Sequence, residues 1–202
     1  NYFKNVNEFY DNFFKIYEKN LSKYFIENST KITEKKKKFP FYSIEDIKFR
    51  LVRDNILNKD EYQKLMIKMF KQKKFNPKEF YNILFISKSN LFKIKELGHT
   101  IGLHGHTHPT YLEKLSYEEQ LSLYLENLNS IVNILKCNKK DIVSMSHPCG
   151  SYNANTIKIL EDLDIEIGFK PVMTLDRNMK KVNNSKYEIA RQDHSEIIKI
   201  MN

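Results

Sequence analysis

Apolar residues recur every three or four positions through the first part of the chain and gather into short runs in the second part, and this change of period divides the sequence. Tyr2, Val6, Phe9, Phe13, Tyr17, Leu21 and Tyr24 line one helical face, predicting an amphipathic helix from the first residue to about residue 28. Ser29 to Pro40, with Lys35 to Lys38 consecutive, cannot bury its charges and reads as a solvated loop; contact with an anionic polymer is its functional alternative. Asn58 and Glu61 have the spacing of a capping box, opening a helix whose apolar face is Tyr62, Leu65, Met66, Met69 and Phe70. Asn76-Pro77-Lys78-Glu79 opens another helix, and Ser89 caps a short one through Leu91, Ile94 and Leu97, ended by Gly98.

Beyond this point short apolar runs alternate with helical patterns. Thr100 to Leu103 reads as a strand, and Ser116 with Glu119 caps a long helix carrying Leu121, Tyr124, Leu125, Leu128, Ile131 and Leu135. Ile142 to Met145 is a strand, Asn155 to Leu163 a helix, Ile165 to Phe169 a strand and Tyr187 to Ala190 a last strand. Strand alternating with helix predicts an α/β fold with parallel strands, whose chemistry sits in the loops after strand C-termini. Both His104 to His108 and Ser146 to Gly150 fall in such loops.

Composition adds bounds. At 202 residues, 41% hydrophobic and 13% aromatic, the chain can build one substantial core, with or without a helical appendage. No run of eighteen apolar residues and no basic stretch leading into an apolar one is visible, so neither a membrane span nor a signal peptide is expected. Cys137 and Cys149 are too few and too oddly spaced for a disulfide framework, which makes a reducing compartment, the cytoplasm, the default. The net charge of +9 comes from basic residues spread along the chain and reads as compositional bias. Without zinc-finger spacing, an aromatic RNA-binding motif or a glycine-rich phosphate loop, no nucleic-acid partner is expected.

The densest chemistry is Leu103-His104-Gly105-His106-Thr107-His108-Pro109, which holds half of the six histidines. Imidazole is the commonest protein ligand for zinc and similar ions, and a strand end lets such residues converge. Spacing leaves three pairings open: His104 with His108, His104 with His106, and His106 with His108. An alternating His-x-His pair resembles amidohydrolase barrels. Gly105-His106-Thr107-His108 resembles the terminal motif of calcineurin-type metallophosphoesterases, but their upstream Asp-x-His and Asn-His-Asp or Asn-His-Glu motifs are missing from this sequence.

The wider context, Leu97 to His104, then Thr107-His108-Pro109, then Leu115-Ser116-Tyr117-Glu118-Glu119, resembles the second motif of the NodB-type polysaccharide deacetylases. That resemblance implies metal ligation by His104 and His108, with His106 a bystander. It departs at Gly105, where the family carries Ser or Thr, a hydroxyl that Thr107 is expected to replace if it is replaced at all. Ser146-His147-Pro148-Cys149-Gly150-Ser151-Tyr152-Asn153 resembles the third motif and implies that the Cys149 backbone N–H binds an oxyanion. As a thiol nucleophile Cys149 lacks an identifiable base. Glu188 to His194 resembles a late Arg-x-Asp block: Arg191 to hold a carboxylate, Asp193 to orient a histidine and His194 as general acid, against the alternative of a surface salt-bridge cluster.

The resemblance covers roughly residues 80–200 and implies a partial, distorted (β/α) barrel at 79–202 behind a mainly helical region at 1–78. The family's first motif, an Asp-Asp-Gly supplying the base and a third ligand, does not occur. Glu45-Asp46 and Arg53-Asp54 are the nearest acids and read as structural. Since the chain opens on Asn1, the motif is expected upstream, and the sequence as given is expected to be nearly inactive. The function expected is metal-dependent removal of N- or O-acetyl groups from a polysaccharide or sugar precursor, with zinc the default ion. A metallophosphoesterase and a non-catalytic carbohydrate-binding relative are the alternatives.

Overall fold

The computed structural model describes residues 2–171, 185–191 and 197, and the chain divides into two compact units, Asn1–Leu84 and Phe85–Asn202. Among the described residues no helix is long and apolar enough to cross a membrane.

The first unit is helical. The helix expected over the first 28 residues is two, α1 (Val6–Tyr17) and α2 (Ser22–Glu27). Glu18 turns left-handed at φ 59°, and the Asn20 side chain accepts the Ser22 N–H at 3.0 Å, a local bond that competes with helix continuation. The expected lysine loop is also a helix, α3 (Ser29–Lys38). It needs one anchor: Ile32 is buried against Ile47 and Leu51, while lysines near its end face the negative pole of the helix dipole.

Ser43 caps the next helix, α4 (Ile44–Asn55), by accepting the Asp46 N–H at 3.0 Å. Two of its three acids are ion-paired, Asp46 with Arg50 and Asp54 with Arg53, each at 2.6 Å. The Asn58–Glu61 capping box forms as expected and opens α5 (Lys59–Gln72). This helix ends in a Schellman turn: Phe75 N–H reaches Phe70 O at 2.8 Å, Lys74 N–H reaches Lys71 O at 3.1 Å, and the Phe70 and Phe75 rings meet at 4.9 Å. Lys74 takes the left-handed position, φ 53°, that glycine usually fills, at a cost of about 1 kcal/mol. Asn76-Pro77 starts only a 3₁₀ turn, Pro77–Phe80, which runs into α6 (Tyr81–Leu84). Phe13, Phe49, Val52 and Met69 form the main core, with Phe13 edge-on to Phe49 at 4.7 Å.

The charge is not evenly spread. Nineteen of the 34 basic residues but only 11 of the 25 acidic ones lie in this unit, which therefore carries +8 of the net +9.

In the second unit Ser87, not Ser89, caps α7 (Lys88–Glu96), accepting the Asn90 N–H at 3.1 Å. The Ser116–Glu119 box opens α8 (Tyr117–Leu135) as expected. Strand β1 (Ser144–Ser146), helix α9 (Ala154–Asp162) and strand β2 (Ile167–Phe169) follow. The strands pair in parallel, Met145 opposite Gly168; Leu103 bridges in parallel to Met145, and Phe169 to Ile189. The strands expected at Thr100–Leu103 and Tyr187–Ala190 are thus single bridging residues.

Four chain segments lie side by side in sequence order and in one direction, with α8 and α9 as the helical crossovers between the first three. This is an α/β arrangement, mostly helical, and among the described residues it amounts to two named strands rather than a barrel. Leu103, Tyr124, Leu128, Met145, Ile159 and Leu160 fill the core beneath the row. Gly168 lets the backbones close up: a Cβ there would lie 2.6 Å from Tyr187 O.

Candidate active site

Because the four segments are parallel, their C-terminal ends share one edge, and the residues that follow them are His104, His147 to Gly150, Lys170 and Ala190-Arg191. The His104 backbone N–H donates to Asn127 Oδ1 on α8 at 2.9 Å. Its Nδ1 lies 2.8 Å from Ser146 O and 3.1 Å from Ser146 Oγ. A carbonyl oxygen only accepts, so Nδ1 carries the proton and Nε2 keeps a free lone pair. The His108 ring stands 4.6 Å from that of His104, inclined at 61°, and both residues are exposed.

Gly105, between them, sits at φ 74°, a conformation that strains any residue with a Cβ and accounts for the departure from Ser or Thr. Thr107 is exposed and has no hydrogen-bond partner among the described residues, so it does not supply the lost hydroxyl. His106 instead meets α8, with Nε2 3.7 Å from Glu126 Oε2 at the surface.

The turn after β1 is left-handed at Cys149, φ 52°, and Gly150, φ 72°. Gly150 N–H donates to His147 O and Ser151 N–H to Pro148 O, leaving the Cys149 N–H without a partner among the described residues. His147 is buried, donates from Nε2 to Tyr187 O at 2.7 Å, and stacks on Tyr152 at 4.2 Å. Burial lowers its pKa, partly offset by the Tyr187 bond and by Glu188, and so holds the ring neutral. The Tyr152 hydroxyl donates to Glu188 Oε1 at 2.8 Å; burial first, and that carboxylate second, push its pKa up to about 12. Arg191 Nε donates to Lys170 O at 2.9 Å, tying the ends of two neighbouring segments. Asp193 and His194 lie outside the described residues.

A network around the buried Gln120 and Thr156 fixes the loop that follows His108 against the loop that follows Cys149. Thr156 Oγ1 donates to Gln120 Oε1 at 2.6 Å, Gln120 Nε2 to Leu115 O, Asn153 Nδ2 to Glu113 O, and Glu113 N–H to Ser151 Oγ. Asn127, His147, Gln120 and Thr156 were not singled out by sequence. Only His147, inside a motif already quoted, carried a signal that could have found it.

The donor set fits a borderline divalent ion as far as it goes, with two imidazoles of adjacent rings and one locked in the ligating tautomer. Among the described residues no third His, Cys, Asp or Glu joins them.

The family profile described as polysaccharide deacetylase matches residues 54–168, more than half the chain; it takes in both histidine-bearing loops and ends before Arg191. No curated protein matches. Among solved structures, the Streptococcus pyogenes deacetylase PplD in complex with acetate is similar, at 15% identity over 80% of this chain and 76% of that one, with a TM-score of 0.45. The match across both loops makes this chain a member of the polysaccharide deacetylase family, hydrolases that act on carbon–nitrogen bonds.

Proposed function

We propose that the chain removes N- or O-acetyl groups from a polysaccharide or sugar precursor at the shared edge of its parallel segments, with a divalent ion held by His104 and His108. The observation that carries this is the exposed His104 ring, held through Nδ1 by Ser146 with its centroid 4.6 Å from that of His108. Zinc is the default, and cobalt or nickel suits the same donors. Such an ion, when bound, supplies Lewis acidity that makes a water more acidic and polarises an acetyl carbonyl.

The chain's own groups do the rest. The Cys149 amide, unused in its turn, donates to the oxygen on which charge develops, and His147 and Gly150 hold that amide in place. Arg191 closes the edge, with Asp193 to orient a histidine and His194 to protonate the leaving group. The accepting base is assigned to none of the described residues, so turnover is expected to be slow and metal affinity is the first readout. Residues 1–78 form a helical appendage in this reading, and 79–202 part of a (β/α) barrel. A phosphoesterase would recruit His106, which instead pairs with Glu126.

Cobalt binding followed by visible absorption is the test. His104→Ala and His108→Ala are each expected to weaken it by more than the ~10–100-fold that loss of a merely orienting partner costs. Acetate release from acetylated chitooligosaccharide, with no hydrolysis of a chromogenic phosphodiester, is expected alongside. Unchanged cobalt affinity in both variants, or phosphodiester hydrolysis alone, overturns the proposal.

A further inference from the structure

From Tyr62 to Lys78 the chain carries six lysines and no acid. On α5, Lys64, Lys68 and Lys71 follow one another at steps of four and three, which puts them on one stripe of the helix, roughly 10 Å long. The other side of the helix packs Leu65, Met66 and Met69 into the core of the first unit. Of the carboxylates beside the run, Glu18 lies 3.3 Å from Lys68, Glu8 lies 2.7 Å from Lys73 and Glu61 is held by the Asn58 N–H, while Asp60 and Glu79 border the run without an ion pair among the described residues. Lys64, Lys71, Lys74 and Lys78 are exposed and have no carboxylate partner among the described residues.

Interaction with the helix dipole accounts for Lys71 near the end of α5. It does not account for Lys64 in the middle, for Lys78 beyond the next turn, or for Lys74, which occupies a left-handed position where glycine would remove strain. The stripe also lacks the exposed aromatic rings on which nucleic-acid bases stack, since Tyr62 and Phe70 are half-buried.

We propose that the lysine stripe of α5, together with the lysines that follow it in the chain, docks an acidic polysaccharide, one carrying carboxylates or phosphates along its backbone, and so names the substrate class of the deacetylase reading. The identity of the polymer as a polysaccharide rests on the deacetylase reading; the need for negative charge rests on the lysines alone.

Binding of polygalacturonate to the whole chain, followed by calorimetry without any turnover, tests the proposal. The polymer is expected to bind, to weaken steeply with salt, and to exceed a neutral acetylated chitooligosaccharide in affinity at low salt. The fourfold variant Lys64→Gln, Lys71→Gln, Lys74→Gln, Lys78→Gln is expected to lose roughly tenfold or more in affinity, while its acetate release from neutral chitooligosaccharide stays at the wild-type level. Lys74→Gly separates charge from folding: it is expected to weaken binding by roughly twofold while raising the melting temperature, a pairing that damage to the fold cannot produce. Equal affinity of wild type and fourfold variant overturns the proposal, as does tighter binding of single-stranded DNA of matched charge. Cobalt affinity unchanged in His104→Ala and His108→Ala, with polygalacturonate binding intact and lysine-dependent, counts against the deacetylase reading and supports the docking surface.

Discussion

In the N-terminal unit the buried side chains are aromatic and aliphatic, Phe13, Phe49, Val52 and Met69 among them, and acids are met by pairs such as Arg50 with Asp46 while basic residues remain in excess. In the C-terminal unit Gln120, Thr156 and His147 are buried, and among the described residues they are the buried polar side chains of the whole chain. A surface ion pair contributes little, about 0–1 kcal/mol, and tolerates change. A buried polar group must find its partner or cost about 1–3 kcal/mol, so each one fixes a geometry. The family's two histidine-bearing loops lie where that geometry is fixed. The excess positive charge, with no buried partner to satisfy, lies where it is not.

The largest way to break the contrast is through backbone contact in the C-terminal unit. Gly168→Ala would put a Cβ 2.6 Å from Tyr187 O and 2.9 Å from Tyr187 Cα, neither able to swing aside. We expect a loss of about 3 kcal/mol, a drop of roughly 10 °C in melting temperature. Hydrogen exchange should rise first around β1, β2 and Ile189; protection there equal to wild type would show that the segments are not held as closely as their hydrogen bonds imply.

Next in size is the polar network. Thr156→Val removes the donor to Gln120 Oε1 and the acceptor of the Asn153 N–H at 3.1 Å, leaving both without that partner. Denaturant titration should show a loss of about 2 kcal/mol. Tyr124→Phe is the converse, because its buried hydroxyl has no partner among the described residues. Its removal should be neutral or stabilising by up to about 1 kcal/mol. If both substitutions destabilise alike, the network is packing and nothing more.

What sequence could and could not reveal follows the same division. Two of the four capping boxes among the described residues, Asn58–Glu61 and Ser116–Glu119, were legible because cap and partner lie three residues apart and the partner is a glutamate; Asn138–Asp141 and Asn153–Thr156 keep the spacing without the glutamate. The histidine cluster was legible for the same local reason, and its motif led to the family. Helix α3 was not foreseen, since one buried Ile32 is too little periodicity to read; α4 was missed although Ile44, Ile47 and Leu51 follow the Ser43 cap at helical spacing; and the strand ends at Leu103 and Ile189 depend on neighbouring backbones. The Thr156–Gln120 bond spans 36 positions, and the His147–Tyr187 bond 40, distances at which residue spacing carries no signal. The first unit's charge excess was in plain view as a count, yet it needed the division at Leu84 to have a location.

The smallest expected effect bears on His147 alone. The groups that face it are Glu188, which favours its proton, and Arg191 and His104, which oppose it; burial outweighs them and lowers its pKa. In the unfolded chain the ring takes up a proton near its ordinary value of about 6.5. The unfolded state therefore binds more protons as the pH falls through that value, so the stability contributed by a neutral His147 is whole above about pH 6.5 and is lost toward the lower, folded value. A proton arriving at Nδ1 would be buried without an acceptor among the described residues. His147→Gln does not titrate and keeps a donor that can reach Tyr187 O. Between pH 8 and pH 5 the melting temperature of the wild type should therefore fall by roughly 2–5 °C more than that of the variant. Parallel decline of the two would assign the acid sensitivity to carboxylates such as Glu8, whose pKa is lowered by its bond to Lys73, and would leave the buried imidazole a packing group only.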